Sequence, residues 1–276
     1  MPNILSKITW SKKILSSDFM QIESVQNPKI KNLLKLQEKS RERKKQRLFV
    51  VEGVQENQLA INAGFVPEEF FVCENIFQNA IDLSGFKSSN ISASLFEKLA
   101  YRDSTGGILG VFQVKQNQLE EIKLKENALI VVLESVEKPG NLGAVLRTCD
   151  GAGVDLLLVC DPLVDFFNPN VIRSSVGTVF TNKIVSAEKE VTLNWLKKNK
   201  IRTLSTFLRK ETKNLYETDF TKSTAIVLGT EAVGLTDFWA ENSDELIKIP
   251  MHGKVDSLNV SNAAAICIYE AVRQRS

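Results

Sequence analysis

Hydrophobic and polar positions become regular from Gln26 onward. Asn27-Pro28 has the form of an N-cap followed by a first-turn proline, and Ile30, Leu33 and Leu34 recur at the spacing of one helix face. The run 49–53 (FVVEG) predicts a strand, followed by a helix to Ala63. A second apolar run, 70–73, predicts a strand with another helical stretch after it. A short helix over 95–100 and a closing strand over 108–114 complete a small α/β unit, residues 21–114. Residues 1–20 read as an irregular extension, with Met20 a second candidate start.

Residues 115–127 (KQNQLEEIKLKEN) are polar and charged without Gly or Pro, and predict a linker. The pattern then changes. Apolar strands are expected at 129–134 (LIVVLE), 154–159, 202–208, 225–228 and 246–249, with helices over 142–151, 191–198 and 257–274. Strands that are continuously apolar, and separated by helices, predict a parallel sheet covered on both faces. Residues 128–276 are therefore expected to form a doubly wound α/β domain.

Composition narrows the classes. With 43% hydrophobic and 25% charged residues the chain is globular in character. No uncharged apolar run approaches the roughly 18–20 residues of a membrane span, and no secretory signal is recognisable. The four cysteines form no C-x-x-C pair, and the single His252 completes no zinc set with them, so no metal is expected. Their apolar neighbours predict reduced, buried thiols and a cytoplasmic protein. Charge is uneven: residues 1–50 hold twelve Lys/Arg against four Asp/Glu, a net +8, leaving −6 for the rest of a chain totalling +2. It peaks in KSRERKKQR, where Lys39, Arg41, Arg43, Lys44, Lys45 and Arg47 are candidate contacts to a polyanion, RNA above all.

Three loops follow strands of the second domain, where α/β sheets bind ligands. Nucleotide chemistry fails on detail. Gly151-Ala-Gly153 precedes a strand instead of joining a strand to its helix, and in 229–234 (GTEAVG) Leu235 stands where a phosphate-binding Lys belongs. The loops offer polar side chains instead. In the first, Asn141 is a plausible N-cap, and Arg147 either pairs with Asp150 on the surface or serves a site. In the second, Gly229 permits close backbone approach, and Glu231 suits a helix start. In the third, Ser257, Asn259, Ser261 and Asn262 exceed what one helix cap needs, whereas His252 reads as turn material.

In this order, Asn141–Arg147, Leu228–Leu235 and Ile249-Pro250-Met251 with Ser257-Leu258-Asn259-Val-Ser261 resemble the three motifs of the SpoU (TrmH-like) branch of the SPOUT RNA methyltransferases. The first domain is similar to a ribosomal-protein-like RNA-binding α/β domain, through Asn27-Pro28-x-Ile30-Lys31, Phe49-x-Val51-Glu52-Gly53 and 107–111. The resemblance implies a deep C-terminal trefoil knot and a homodimer. It implies S-adenosylmethionine (SAM) held near Thr206, Leu228, Gly229, Ile249, Met251 and Leu258. Arg147 would be the catalytic residue, arranged by Asn141, Glu231, Ser257 and Asn259. The implied reaction is methylation of a ribose 2′-hydroxyl, in ribosomal RNA first, in transfer RNA alternatively. A non-catalytic RNA-binding member of the fold is the remaining alternative. Arg147 would act as a phosphate-assisted base or, since arginine stays protonated to about pH 12, electrostatically.

Overall fold

In the computed structural model, residues 21–78, 81–101, 106–209, 212–229 and 234–276 are described; residues 1–20, Met20 and Glu231 lie outside them. Two sheets organise these residues. The first is built from α1 (Pro28–Glu38), α2 (Ser40–Gln46), β1 (Leu48–Glu52), α3 (Val54–Asn62), β2 (Pro67–Val72), β3 (Ser88–Asn90), α4 (Ala93–Leu99) and β4 (Ile108–Gln113). Its strand order is β1-β4-β2-β3. The strand over 108–113 therefore lies between β1 and β2, antiparallel to both, instead of closing an edge. The helix expected after 70–73 does not form: the described residues of 74–87 are turns and loop. Asn27 caps α1, its side chain accepting from Lys29 N–H at 2.9 Å, with Pro28 in the first turn.

The second sheet comprises β5 (Leu129–Glu134), β6 (Leu156–Cys160), β7 (Ile184–Ala187), β8 (Arg202–Thr206), β9 (Lys213–Asn214), β10 (Thr224–Leu228) and β11 (Glu245–Lys248). Among the described residues their order is β7-β6-β5-β10-β8-β11-β9, with every pairing parallel. Helices α5 (Pro139–Ala152), α6 (Pro169–Ser174) and α9 (Val260–Arg275) cover one face, and α7 (Lys189–Lys198) and α8 (Asp237–Asn242) the other. Strand β5 explains why: Leu129, Val131 and Leu133 enter the core with Leu142 and Cys267, whereas Ile130 and Val132 enter the core with Leu196 and Trp239. A strand buried on both sides has no polar alternation to display.

The two sheets are not loosely tethered. Leu119 in the 115–127 segment is buried, and Asn117 Nδ2 donates to the Ile184 carbonyl at 3.1 Å. From β1, Phe49 stacks on Phe167 with ring centroids 4.3 Å apart and on Phe180 at 5.9 Å, while Phe65 meets Phe180 edge-on. Each buried phenylalanine contributes roughly 1.5–3 kcal/mol, and aromatic pairing adds about 0.5–1.5 kcal/mol.

Arg43 belongs to the same junction, and here the expected RNA contact does not hold. Only 3% of its side chain is exposed. It donates from Nε to Asp165 Oδ2 at 2.6 Å and from Nη1 to the carbonyls of Leu36 and Gln37. The helical turn of α2 points this one member of the basic run inward, whereas Lys39, Arg41, Lys44, Lys45 and Arg47 are exposed.

Candidate functional site

A cavity of about 380 Å³ opens at the carboxyl ends of β8, β10 and β11. Thr206, Leu228, Gly229, Ile249, Met251 and Leu258 all line it, joined by Ser257. Phe207, Leu208, Asp256 and Ala263 are among the other lining residues, and the sequence pattern had not singled these four out. Neighbouring parallel strands end at the same level, so three segments distant in sequence converge there. The size falls within the range of small-molecule sites, roughly 300–1,000 Å³.

Gly229 makes the wall possible. A Cβ on it would lie 2.1 Å from the Gly234 carbonyl carbon and 2.3 Å from Leu235 N. The two ends of the 229–234 loop touch through backbone, and only hydrogen fits between them. The far end of that loop is anchored by Glu134, the last residue of β5. Its carboxylate, 3% exposed, accepts from Thr236 N–H and from Thr236 Oγ1, each at 2.8 Å, with Lys189 Nζ at 3.8 Å. Sequence reasoning passed over Glu134; an acid ending a continuously apolar strand was the available signal.

The polar residues of the first and third loops meet. Asn259 Nδ2 donates to Asn141 Oδ1 at 3.2 Å, and Asn259 caps α9 by accepting from Ser261 N–H at 2.9 Å. Two boundaries differ from expectation. Helix α5 begins at Pro139, with Lys138 at the cap position, so Asn141 sits inside its first turn. Helix α9 begins at Val260, not Ser257, leaving Ser257 exposed in the cavity wall. The entry of α5 is also packed tightly. Ser174 Oγ of α6 donates to the Pro139 carbonyl at 3.2 Å, and a Cβ on Gly143 would lie 1.9 Å from that oxygen.

Arg147 lies six residues beyond Asn141, about 9 Å along the helix. It is exposed, it does not line the cavity, and it makes no hydrogen bond or ion pair with any described residue. The surface pairing with Asp150 is not formed; Asp150 accepts from Thr181 Oγ1 at 2.6 Å instead. Ser257 thus lines the cavity, Asn259 lies between the lining residues Leu258 and Val260 and bonds to Asn141, Arg147 stands exposed further along α5, and Glu231 lies outside the described residues.

All four cysteines are buried and free. Burial pushes the thiols of Cys149, Cys160 and Cys267 up to about 12, which rules out thiolate chemistry near neutrality. No metal-binding group of His, Cys, Asp and Glu occurs among the described residues.

Residues 128–269, which carry all three loops, match the SpoU rRNA Methylase family. The chain belongs to that family. Residues 27–110 match the MRM3-like substrate binding domain. The chain is 28% identical over 249 residues to the 23S rRNA (guanosine(2553)-2′-O)-methyltransferase RlmP of Bacillus subtilis, covering 90% of this chain and 98% of that protein. It is 33% identical over 203 residues to the 23S rRNA (guanosine-2′-O-)-methyltransferase RlmB of Vibrio vulnificus, covering 71% and 82%. The AdoMet-bound crystal structure of an rRNA methyltransferase from Sinorhizobium meliloti superposes with a TM-score of 0.83. That superposition has 26% identity and covers 92% and 97% of the two chains.

Proposed function

We propose that this SpoU-family protein is a cytoplasmic SAM-dependent methyltransferase acting on a ribose 2′-hydroxyl of ribosomal RNA. The observation that carries the reading is that residues of the second and third family motifs line one cavity, with the first motif tied to them through the Asn259–Asn141 bond. Ribosomal RNA is favoured because the relatives named for 23S rRNA align through both sheets.

The cavity suits SAM. It has the volume of a small-ligand site, its walls are largely strand-end backbone and apolar side chains, and its closest approach is cradled by a glycine. When bound there, SAM supplies an already activated sulfonium methyl group. The protein's work is alignment and proton removal. Residues Asn141, Glu231, Ser257 and Asn259 would arrange Arg147 and the substrate hydroxyl. The exposed guanidinium of Arg147 has no acidic partner among the described residues. It is free to take the RNA phosphate beside the target and lower the hydroxyl pKa through its charge.

Because Arg147 stands outside the cavity of its own chain, a homodimer that brings this face to a second copy's cavity completes the site. The C-terminal segment 249–275 would form the family's trefoil knot around the donor. Residues 21–114 would hold the RNA, with Lys39, Arg41, Lys44, Lys45 and Arg47 along phosphates.

The test is transfer of labelled methyl from SAM to rRNA, and separately to tRNA, with calorimetry for SAM. Arg147→Ala is expected to abolish transfer while leaving SAM affinity within about twofold. Loss of SAM binding together with activity would make Arg147 structural. Transfer to tRNA alone would overturn the ribosomal assignment.

A further inference from the structure

A second cleft, of about 360 Å³, lies between the two sheets. One wall is the end of β1 and the first turn of α3, with Glu52 and Glu56. The other is α6, with Arg173, and the turn at Val176. Tyr101 stands at the mouth, 55% exposed, its ring 5.2 Å from the Arg173 guanidinium carbon.

The Glu56 carboxylate is the decisive group. The residue is 9% exposed, it lines the cleft, and it has no hydrogen-bond or ion-pair partner among the described residues. The α3 N-terminus favours its charge, but a buried carboxylate without a donor is costly. Such a group calls for N–H donors from outside. Glu52 shares the lining, its Oε1 accepting from Tyr101 N–H at 2.8 Å, and two acids against the single cation Arg173 among the described lining residues favour a neutral donor over a phosphate. The backbone beside it is unusual: Val176 adopts φ 54°, a conformation that branched side chains rarely take and that persists where surrounding structure demands it.

Resting on the reading of RNA as substrate, we propose that this cleft takes one unstacked nucleobase of that RNA, guanine by preference. Guanine presents N1–H and N2–H₂ on one edge, a pair of donors matched to the two oxygens of Glu56. Its ring stacks on Tyr101 at the mouth, as single-stranded RNA bases commonly do on aromatic side chains. The sugar and phosphate stay outside. Gln37 lines the cleft, and the exposed cations Lys39 and Arg41 follow it by two and four residues. The cleft is linked to the entry of α5, where the first motif begins: Arg173 precedes Ser174, whose Oγ donates to the Pro139 carbonyl.

The experiment compares a short oligouridine carrying one central guanosine with plain oligouridine, by fluorescence anisotropy on the full-length protein. The wild type is expected to prefer the guanosine strand by about tenfold, from donors that only guanine offers to the carboxylate. Glu56→Gln should abolish that preference and leave oligouridine binding unchanged. Tyr101→Ala, at an exposed position, should abolish it as well. Unchanged SAM affinity in both variants reports an intact fold. Equal wild-type affinity for the two strands, or full preference retained in the variants, overturns the proposal. Methyl transfer by the wild type is scored separately. Transfer without guanosine preference removes only the cleft assignment, and preference without transfer removes only the enzyme assignment.

Discussion

Gly229→Ala tests the geometry on which the donor cavity depends. The residue's requirement is space, since its φ is not in the left-handed region and alanine could adopt its backbone conformation. The added methyl would sit 2.1 Å from the Gly234 carbonyl carbon, against at least 3.4 Å for ordinary contact, so the loop ends must part by 1.3 Å. Neither side yields easily. Gly229 directly follows β10, which is paired on both edges, and Thr236 is held by the Glu134 carboxylate. Overpacking of this kind costs about 1–3 kcal/mol, or a fall in Tm of roughly 2–12 °C for a protein of this size. The same movement displaces a cavity wall by more than 1 Å, which is expected to lower kcat/KM about a hundredfold. Urea unfolding and methyl-transfer kinetics measure the two effects, and calorimetry reports SAM binding. A variant with the wild-type unfolding midpoint and wild-type SAM affinity would show that the loop is not pinched at Gly229.

Arg43→Ala strands Asp165 and two carbonyls at the junction and should cost about 3–5 kcal/mol in urea unfolding; a smaller salt slope for RNA binding at unchanged stability would return Arg43 to the RNA face. Replacing Arg41, Lys44 and Lys45 together by alanine should reduce the slope of log affinity against log salt by about 2–3 without loss of stability. An unchanged slope would remove that face from the RNA path. Native protein should resist thiol reagents at pH 8 and react once unfolded. Cys149, Cys160 and Cys267 ordinarily ionise near 9 and are held to about 12 in the fold. Their contribution to stability is therefore complete below pH 9 and is lost between 9 and 12, as the unfolded chain releases protons first. Thiol titration at pH 8 and unfolding midpoints across that range check both statements.

The parallel sheet was legible because burial on both faces leaves an uninterrupted apolar run, as in 129–134. The cavity lining was legible through the motif resemblance, since it is made at strand ends whose order fixes it. Side-chain direction was not. Arg43 looks like its neighbours in sequence, and only the pitch of α2 against the 165–167 turn sends it inward. The half-apolar surroundings of Arg147 suggested shelter, yet the face it occupies is open. Glu134 was hidden because its partner, Thr236, lies 102 residues away. Helix α6 and strand β7 are short and carry no extended periodicity, so nothing in 161–188 announced them.

The phenylalanine stack joining Phe49 to Phe167 and Phe180 fixes a length as well as a contact. With one shared core, residues 21–114 can swing relative to residues 128–276 only by breaking that stack. If the first half grips RNA and the second holds the methyl donor, as proposed, the molecule would act as a gauge of set span, and the RNA's own curvature would have to bring the target hydroxyl to that distance.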